Sequence, residues 1–303
     1  MEVLILGSNS AAFAYGRHHT AQVLRHHNKH FLIDCGEGTQ IQLRRYKVKL
    51  SRINVILISH LHGDHYLGLT GLLNTMHLYG RQAQLEVIGP PGLKEILSLQ
   101  FKLSQTTLTY PIEFKEWIPN QTQMVYDDPL LTVETIPLDH KIDCCGYHFK
   151  EKPKSRKLNR EAIPEQLPPS HIAKLKQGKD ILNEDGSIKY RSEDVTLPPQ
   201  PSYSYAFCSD TRYLPTLAEK LQGTTVIYHE ASFLEDMADR AKQTKHSTAK
   251  QAAMVARDAN AQKLLLGHFS SRYHDLGGFL KESKELFDES ALATEGEVFT
   301  IGV

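Results

Sequence analysis

The chain has no surplus charge of either sign: 35 Lys and Arg stand against 35 Asp and Glu in 303 residues. No global basic field therefore announces nucleic acid, and any polyanion site has to come from local clustering. Long hydrophobic runs are also missing. The start, MEVLILGSNSAAFAYGRHH, has a short apolar stretch with no basic leader before it, so neither a signal peptide nor a membrane span is expected. Cysteines are few. Cys35, Cys144, Cys145 and Cys208 lack zinc-finger spacing and the pattern of a secreted disulfide framework, which points to a reducing cytoplasm. Each lies near a polar residue assigned to the site below, so a reactive role competes with that of a small buried packing residue. Repeats, coiled-coil heptads and low-complexity tracts are absent too. The length admits about two domains or one large layered domain with a sizeable core.

What is present is an alternation of short apolar strands with helical spacing. Strands are expected at Glu2 to Leu6, Lys29 to Ile33, Asn54 to Ser59, Gln84 to Ile88, Leu131 to Ile136, Tyr203 to Cys208, Thr225 to Tyr228 and Lys263 to Leu266. Helices are expected at Leu67 to Tyr79, Leu93 to Leu103, Leu214 to Leu221, Ala249 to Asn260 and Phe279 to Phe287. Thr248 with Gln251 three positions later reads as a capping box opening the Ala249 helix. The pattern is α/β.

One segment interrupts it. Lys150 to Pro201 carries Pro153, Pro164, Pro168, Pro169, Pro198, Pro199 and Pro201, with few large apolar residues and clustered Lys and Arg. It reads as a protruding basic insertion, residues 150–201, in a single domain spanning 1–303. Lys150, Lys152, Lys154, Arg156, Lys157, Arg160, Lys174, Lys176 and Lys179 outnumber the interspersed acids. A merely solvated loop would look the same.

The chemistry is concentrated in SHLHGDHYLGL, residues 59–69, where His60, His62, Asp64 and His65 fall within six positions after an apolar strand. Imidazoles and a carboxylate suit zinc or a similar divalent ion, and a strand gives their loop a rigid base. The same event recurs: FLID ends in Asp34, LTVETIPLDH in His140, YAFCSD in Asp210 and KLLLGH in His268. Strands in layered sheets with those ends together would bring the loops to one edge, where α/β architectures bind ligands. Seven residues then make two adjacent sites, His60, His62 and His140 on one ion and Asp64, His65 and His268 on the other, with Asp210 bridging. Coordination can lower the pKa of bound water to about 7, and Asp64 would orient that water or take its proton. Asp34 is either a carboxylate behind a ligating imidazole or a turn residue of DCGEGTQ. His246, oriented by Glu230, is a candidate general acid, with a purely structural hydrogen-bonded pair as the other reading. His229 can reach the same edge.

LGSNSA at 6–11, DCGEGTQ at 34–40, SHLHGDHYLGL at 59–69, GPPGL at 89–93, PLDH at 137–140, SDT at 209–211, HEASF at 229–233, HSTA at 246–249 and GHFSSRY at 267–273 together resemble the metallo-β-lactamase superfamily, and within it the ribonuclease Z family. The HxHxDH motif alone indicates the superfamily; the other motifs in this order narrow the choice. The resemblance implies an αββα sandwich of two mixed sheets flanked by helices, a homodimer, and two zinc ions per subunit, with manganese or another divalent ion as the alternative. It also implies Asp64 as proton acceptor and precursor tRNA as partner. Cleavage of the 3′ trailer would leave a 3′-hydroxyl on the tRNA and a 5′-phosphate on the trailer. The family's flexible arm falls where the basic insertion lies here, making Lys152, Lys154, Arg156, Lys157, Lys174 and Lys176 the candidate RNA contacts. Phe13 and Ala14 stand where the family has Pro-Thr, and the arm's glycine-proline tip is poorly matched around Pro168 to Leu175. A hydrolase of small esters or cyclic phosphodiesters and a non-catalytic RNA-binding scaffold are the competing functions.

Overall fold

The structure, a computed structural model, describes residues 1–163 and 167–302. Pro164, one of the prolines of the expected arm, lies outside the described residues. The chain divides into two compact units, one of Met1–Asp127, Thr132–Phe149 and Tyr203–Val303, the other of Asp128–Leu131 and Lys150–Ser202.

In chain order the strands are β1 (Glu2–Gly7), β2 (Ala21–His26), β3 (Lys29–Ile33), β4 (Ile53–Leu57), β5 (Leu85–Gly89), β6 (Ile112–Glu116), β7 (Met124–Asp127), β8 (Leu131–Pro137) and β9 (Cys145–Glu151). Four short ones follow in the second unit: β10 (Lys157–Leu158), β11 (Ile181–Leu182), β12 (Ile188–Tyr190) and β13 (Thr196–Leu197). The last five are β14 (Ser204–Cys208), β15 (Val226–Glu230), β16 (Lys263–Gly267), β17 (Ser290–Leu292) and β18 (Val298–Thr300). Two seven-stranded sheets result, ordered β18-β1-β2-β3-β4-β5-β6 and β17-β16-β15-β14-β9-β8-β7. Both are mixed. In the first, β1, β2 and β3 pair antiparallel while β3 to β6 run parallel; in the second, β14 to β17 run parallel and β7 pairs antiparallel with β8.

The inner strands of each sheet are buried on both faces, which is why strands such as Val3-Leu4-Ile5-Leu6 read as unbroken apolar runs without alternation. Leu4 and Leu6 pack outward with Leu43, Leu72, Leu73, Met76 and Leu97, supplied by the helices α1 (Thr39–Arg45), α3 (Leu69–Leu78) and α4 (Leu93–Leu103). Leu264 and Leu266 do the same on the second sheet against Leu217, Ala252, Ala253, Ala256 and Phe279, from helices at Thr216–Lys220, Ala249–Asp258 and Gly277–Lys284. The inner faces meet through aromatics. Phe31 and Phe149 stack edge-to-face at 5.5 Å, and the Tyr147 hydroxyl crosses between sheets to donate to the Ile58 carbonyl at 2.6 Å.

The expected strands all form, as does the capping box between Thr248 and Gln251. Several elements were not legible in the apolar pattern: β2, β6, β7, β9 and α1 among them. Buried polar residues break that pattern in β2, β9 and α1, while β6 and β7 bury no residue fully. Gln22 of β2 accepts a hydrogen bond from Tyr205, His148 of β9 meets Thr224, and Gln42 of α1 donates to the Leu6 carbonyl at 2.7 Å. The helix expected from Leu67 begins at Leu69; a separate single turn, α2 (Gly63–Tyr66), precedes it and carries Asp64 and His65.

The second unit has structure of its own. α5 (Pro169–Lys176) opens with Pro at its first position, ends before Gly178 at φ 79°, and presents Leu175 to a small cluster with Ile181 and Val195. β10 pairs with β13 and β11 with β12, the second pair turning through Gly186 at φ 85°. No helix among the described residues is long and apolar enough to cross a membrane.

Candidate metal centre

Strand register brings the chemistry together. Ile33 lies beside Leu57 in the first sheet, so the loops carrying Asp34 and His60 leave side by side. In the second, Cys208 lies beside His229 and Glu230 beside Gly267, so Asp210, Glu230 and His268 emerge together. The two rows are then tied to each other. Cys145 N–H donates to the Ser59 carbonyl at 3.1 Å, Phe269 N–H to Ser8 at 2.8 Å, and Ser10 N–H to Phe269 at 2.9 Å. Asp34, Asp210 and His268 follow their strands with φ of 57°, 56° and 58°. A left-handed backbone at a non-glycine residue costs on the order of 1 kcal/mol or more, and here it recurs at three positions where a polar side chain leaves a strand for the site.

Gly36 of DCGEGTQ has no room for a side chain: a Cβ there would sit 2.3 Å from the Asp64 carbonyl oxygen. The loop thus lies directly on the backbone of the residue whose carboxylate enters the site.

Two clusters form. In the first, His60 Nε2 is 3.0 Å and His140 Nε2 3.1 Å from His62 Nδ1, and both Nε2 atoms are 3.5 Å from Asp210 Oδ2. In the second, His65 Nε2 is 3.2 Å from His268 Nε2, Asp64 Oδ2 lies 3.5 and 3.6 Å from these nitrogens, and Asp210 Oδ1 lies 3.2 and 3.0 Å from them. Asp210 thus points one oxygen into each cluster. A tetrahedron of N and O ligands about 2.0–2.2 Å from zinc has edges of about 3.3–3.6 Å. The spacings, 3.0–3.6 Å, reach those edges or fall a few tenths of an ångström short of them. Hydrogen bonding alone would leave the single His62 Nδ1 to serve the Nε2 lone pairs of both His60 and His140, whereas a cation at the centre accounts for every lone pair directed there. The donor set therefore fits two divalent ions.

The nitrogens turned away from the clusters are engaged. His65 Nδ1 donates to Asp34 Oδ2 at 2.7 Å, and His60 Nδ1 donates to Ser59 Oγ at 3.0 Å, whose hydroxyl donates in turn to Asp34 at 2.9 Å. One buried carboxylate so orients an imidazole from each cluster. His140 Nδ1 donates to the Lys245 carbonyl at 3.0 Å and His268 Nδ1 to Ser232 Oγ at 3.1 Å. Such partners fix the tautomer that leaves Nε2 free to ligate. Asp64 Oδ2 also accepts the Ala11 N–H at 2.7 Å.

Beside the clusters, Glu230 is buried and accepts the Thr211 N–H at 2.7 Å, the Ser232 hydroxyl at 2.7 Å and His246 Nδ1 at 2.8 Å. Burial alone would lower the His246 pKa, but the charge and hydrogen bond of Glu230 outweigh it and raise the pKa above the usual imidazole value. Nε2 is left as the nitrogen able to donate into the cleft. His229 is buried elsewhere, its Nδ1 donating to its neighbour's carbonyl, and it belongs to neither cluster. The four cysteines are buried and unpaired, and burial pushes their thiols up, which leaves them inert.

A cleft of about 470 Å³ opens onto the clusters, lined by Asp64, His62, His140, Asp210, His246 and His268, with Ser10, His19 and Glu37 at its walls. A second groove shares Ser10, Ala11, Lys141 and His246 with it and adds Arg240, Ser270, Ser271 and Arg272. None of these cations was singled out in the sequence: Lys141 and Arg240 stand in no quoted motif, and Arg272, inside GHFSSRY, was not assigned a role. Ser59 and Ser232 were missed too, although each sits inside a quoted motif. In the second unit, Lys154 pairs with Glu151 at 2.7 Å and Arg156 Nε donates to Thr196 at 2.6 Å, while Lys157 and Lys174 are exposed.

A family model described as Anti-Pycsar protein Apyc1 matches residues 1–152. The ribonuclease Z of Cytophaga hutchinsonii is 49% identical over 99% of this chain and 96% of its own length. Among solved structures, the short form of human tRNase Z, ELAC1, is similar with a TM-score of 0.74 and 25% identity, covering all of both chains. The metallo-β-lactamase fold protein YhfI from Bacillus subtilis follows at 0.69 and 17% identity, covering 99% of each, a likeness of fold.

Proposed function

Because the chain belongs to the ribonuclease Z family, a group of metal-dependent hydrolases, we propose that it removes the 3′ trailer of precursor tRNA by hydrolysing one phosphodiester at a two-zinc centre. The observation that carries the reading is the division of Asp210, with one oxygen among His60, His62 and His140 and the other among Asp64, His65 and His268. Divalent ions held there would polarise the phosphate and make coordinated water acidic, as two-metal hydrolases do with ions about 3.5–4 Å apart. The protein's own groups supply the rest. Asp64, at the floor of the cleft, takes the proton of the attacking water as its oxygen bonds to phosphorus. His246, held by Glu230, delivers a proton to the departing ribose oxygen as the P–O bond breaks. The tRNA keeps a 3′-hydroxyl and the trailer a 5′-phosphate. Lys141, Arg240 and Arg272 line the adjoining groove and would attract neighbouring phosphates.

The basic arm, residues 150–201, is the second contact. Lys152, Lys157, Lys174 and Lys176 would add salt-sensitive grip on folded RNA read by shape. We place the enzyme in a reducing cytoplasm, in keeping with four unpaired thiols. A homodimer is also part of this reading, and exposed Ile41 and Tyr79, which line one groove, offer it apolar surface.

A second reading, hydrolysis of small esters or cyclic phosphodiesters, is favoured by one observation: the clusters are complete within the first unit. Deleting Lys150 to Pro201 separates the two. Trailer removal should vanish while a small chromogenic phosphodiester is still cut. The direct test maps the products from a tRNA bearing a 3′ trailer, with and without a chelator. A chelator-sensitive cut at the trailer junction is expected; hydrolysis of small diesters alone would favour the second reading.

A further inference from the structure

The loop from Ser10 to His18 stands beside the cleft and exposes two aromatic rings that no core uses. Phe13 is 49% exposed and Tyr15 54%. The Phe13 ring lies 4.1 Å from that of His19, tilted by 34°, and meets His18 edge-on at 5.7 Å. His19 is itself buried in the wall of the cleft that holds Asp64. One side of Phe13 is thus backed by an imidazole at the active centre, its edge meets His18 and lies close to Gly38, and about half of the residue is open.

The loop is held rather than loose. Arg17 donates to Asn9 at 3.0 Å and to the carbonyls of Tyr273 at 2.5 Å and His274 at 3.2 Å, and His18 is held by Glu295 through its N–H at 2.5 Å and its ring at 2.9 Å. Ala11 and Tyr15 have φ of 58° and 54°, so the hydrogen bonds maintain a backbone that L residues avoid. A fixed ring, half open, next to a centre that cuts a phosphodiester suits the flat face of a nucleobase. Stacking on an aromatic ring tolerates any base because every base has a π face.

We propose that Phe13, backed by His19, is a stacking platform for the nucleobase next to the scissile phosphate, setting which phosphate reaches the metal centre. The inference rests on the ribonuclease reading above. It gives the cleft a grip on the base as well as on the phosphates held by the cationic groove.

The test pairs Phe13→Ala and Phe13→Trp with three trailer-bearing tRNAs: one intact, one abasic immediately 5′ of the cut and one abasic immediately 3′ of it. Stacking losses of the size seen for single bases predict that Phe13→Ala lowers kcat/KM about tenfold or more on the intact RNA. Phe13→Trp should stay near wild type, and one abasic RNA should be cut equally by all three proteins. An equal loss on both abasic substrates, or no loss on the intact one, overturns the platform while leaving the ribonuclease reading intact. A wild-type enzyme that does not cut the trailer overturns both. Unaltered cleavage with a changed sedimentation coefficient for Phe13→Ala overturns the platform in favour of a contact between copies of the chain.

Discussion

At the metal centre four imidazoles are fixed from behind, His60 by Ser59, His65 by Asp34, His140 by the Lys245 carbonyl and His268 by Ser232. In the basic arm, by contrast, Lys157 and Lys174 stand exposed on a unit whose buried apolar cluster is Leu175, Ile181 and Val195. The first region has one admissible geometry, and its groups succeed or fail together. The second offers charges that add up one by one. Chemistry and substrate grip should therefore respond to mutation on different scales, all-or-none in one region and graded in the other.

The largest effect tests the first half of that contrast. Asp210→Ala should remove metal and turnover together, by several orders of magnitude, measured as metal content and cleavage of the same preparation. Near-normal cleavage by that variant would refute the bridge. His246→Ala should cost about 10²–10⁴-fold on RNA, whose leaving oxygen needs a proton, and much less on a diester with an acidic nitrophenol leaving group. Equal losses on both would assign His246 a structural role. Its pH profile sharpens this. Glu230 raises the His246 pKa, so Glu230→Gln lets the imidazole lose its proton at lower pH, and the alkaline limb of kcat should move to lower pH.

A smaller loss is expected behind the ligands. Asp34→Ala releases His65 directly and His60 through Ser59, and loss of such a partner typically weakens metal affinity about 10–100-fold. Added zinc should restore most of the activity; failure to do so would mean the loop itself had collapsed. The smallest effects belong to the arm. Lys157→Ala and Lys174→Ala should each reduce the salt slope of RNA binding by about 1 without changing hydrolysis of a small diester. A steep loss from either single change would erase the contrast between the regions.

Much of the centre was legible in the sequence because each strand end carries its polar residue within a few positions, as in FLID, YAFCSD and KLLLGH. The strands themselves were legible where both faces are apolar. β2 and β9 were not, since Gln22 and His148 occupy buried positions, where they meet Tyr205 and Thr224 from distant parts of the chain. The same holds for the site's supports. Ser59 and Ser232 act by where their hydroxyls point, and Lys141, Arg240 and Arg272 share a groove only because the chain folds. A pattern along the chain shows which residues are available; partners across it depend on the fold.

The proposed mechanism stands on one carboxylate, Asp210, joining two ions. Anomalous scattering at the zinc edge, recorded from crystals of the wild-type protein, tests it most directly. Two peaks about 3.5–4 Å apart are expected, one between His60, His62 and His140 and the other between Asp64, His65 and His268, with Asp210 reaching both. A single peak, or two peaks that Asp210 does not touch together, would contradict it.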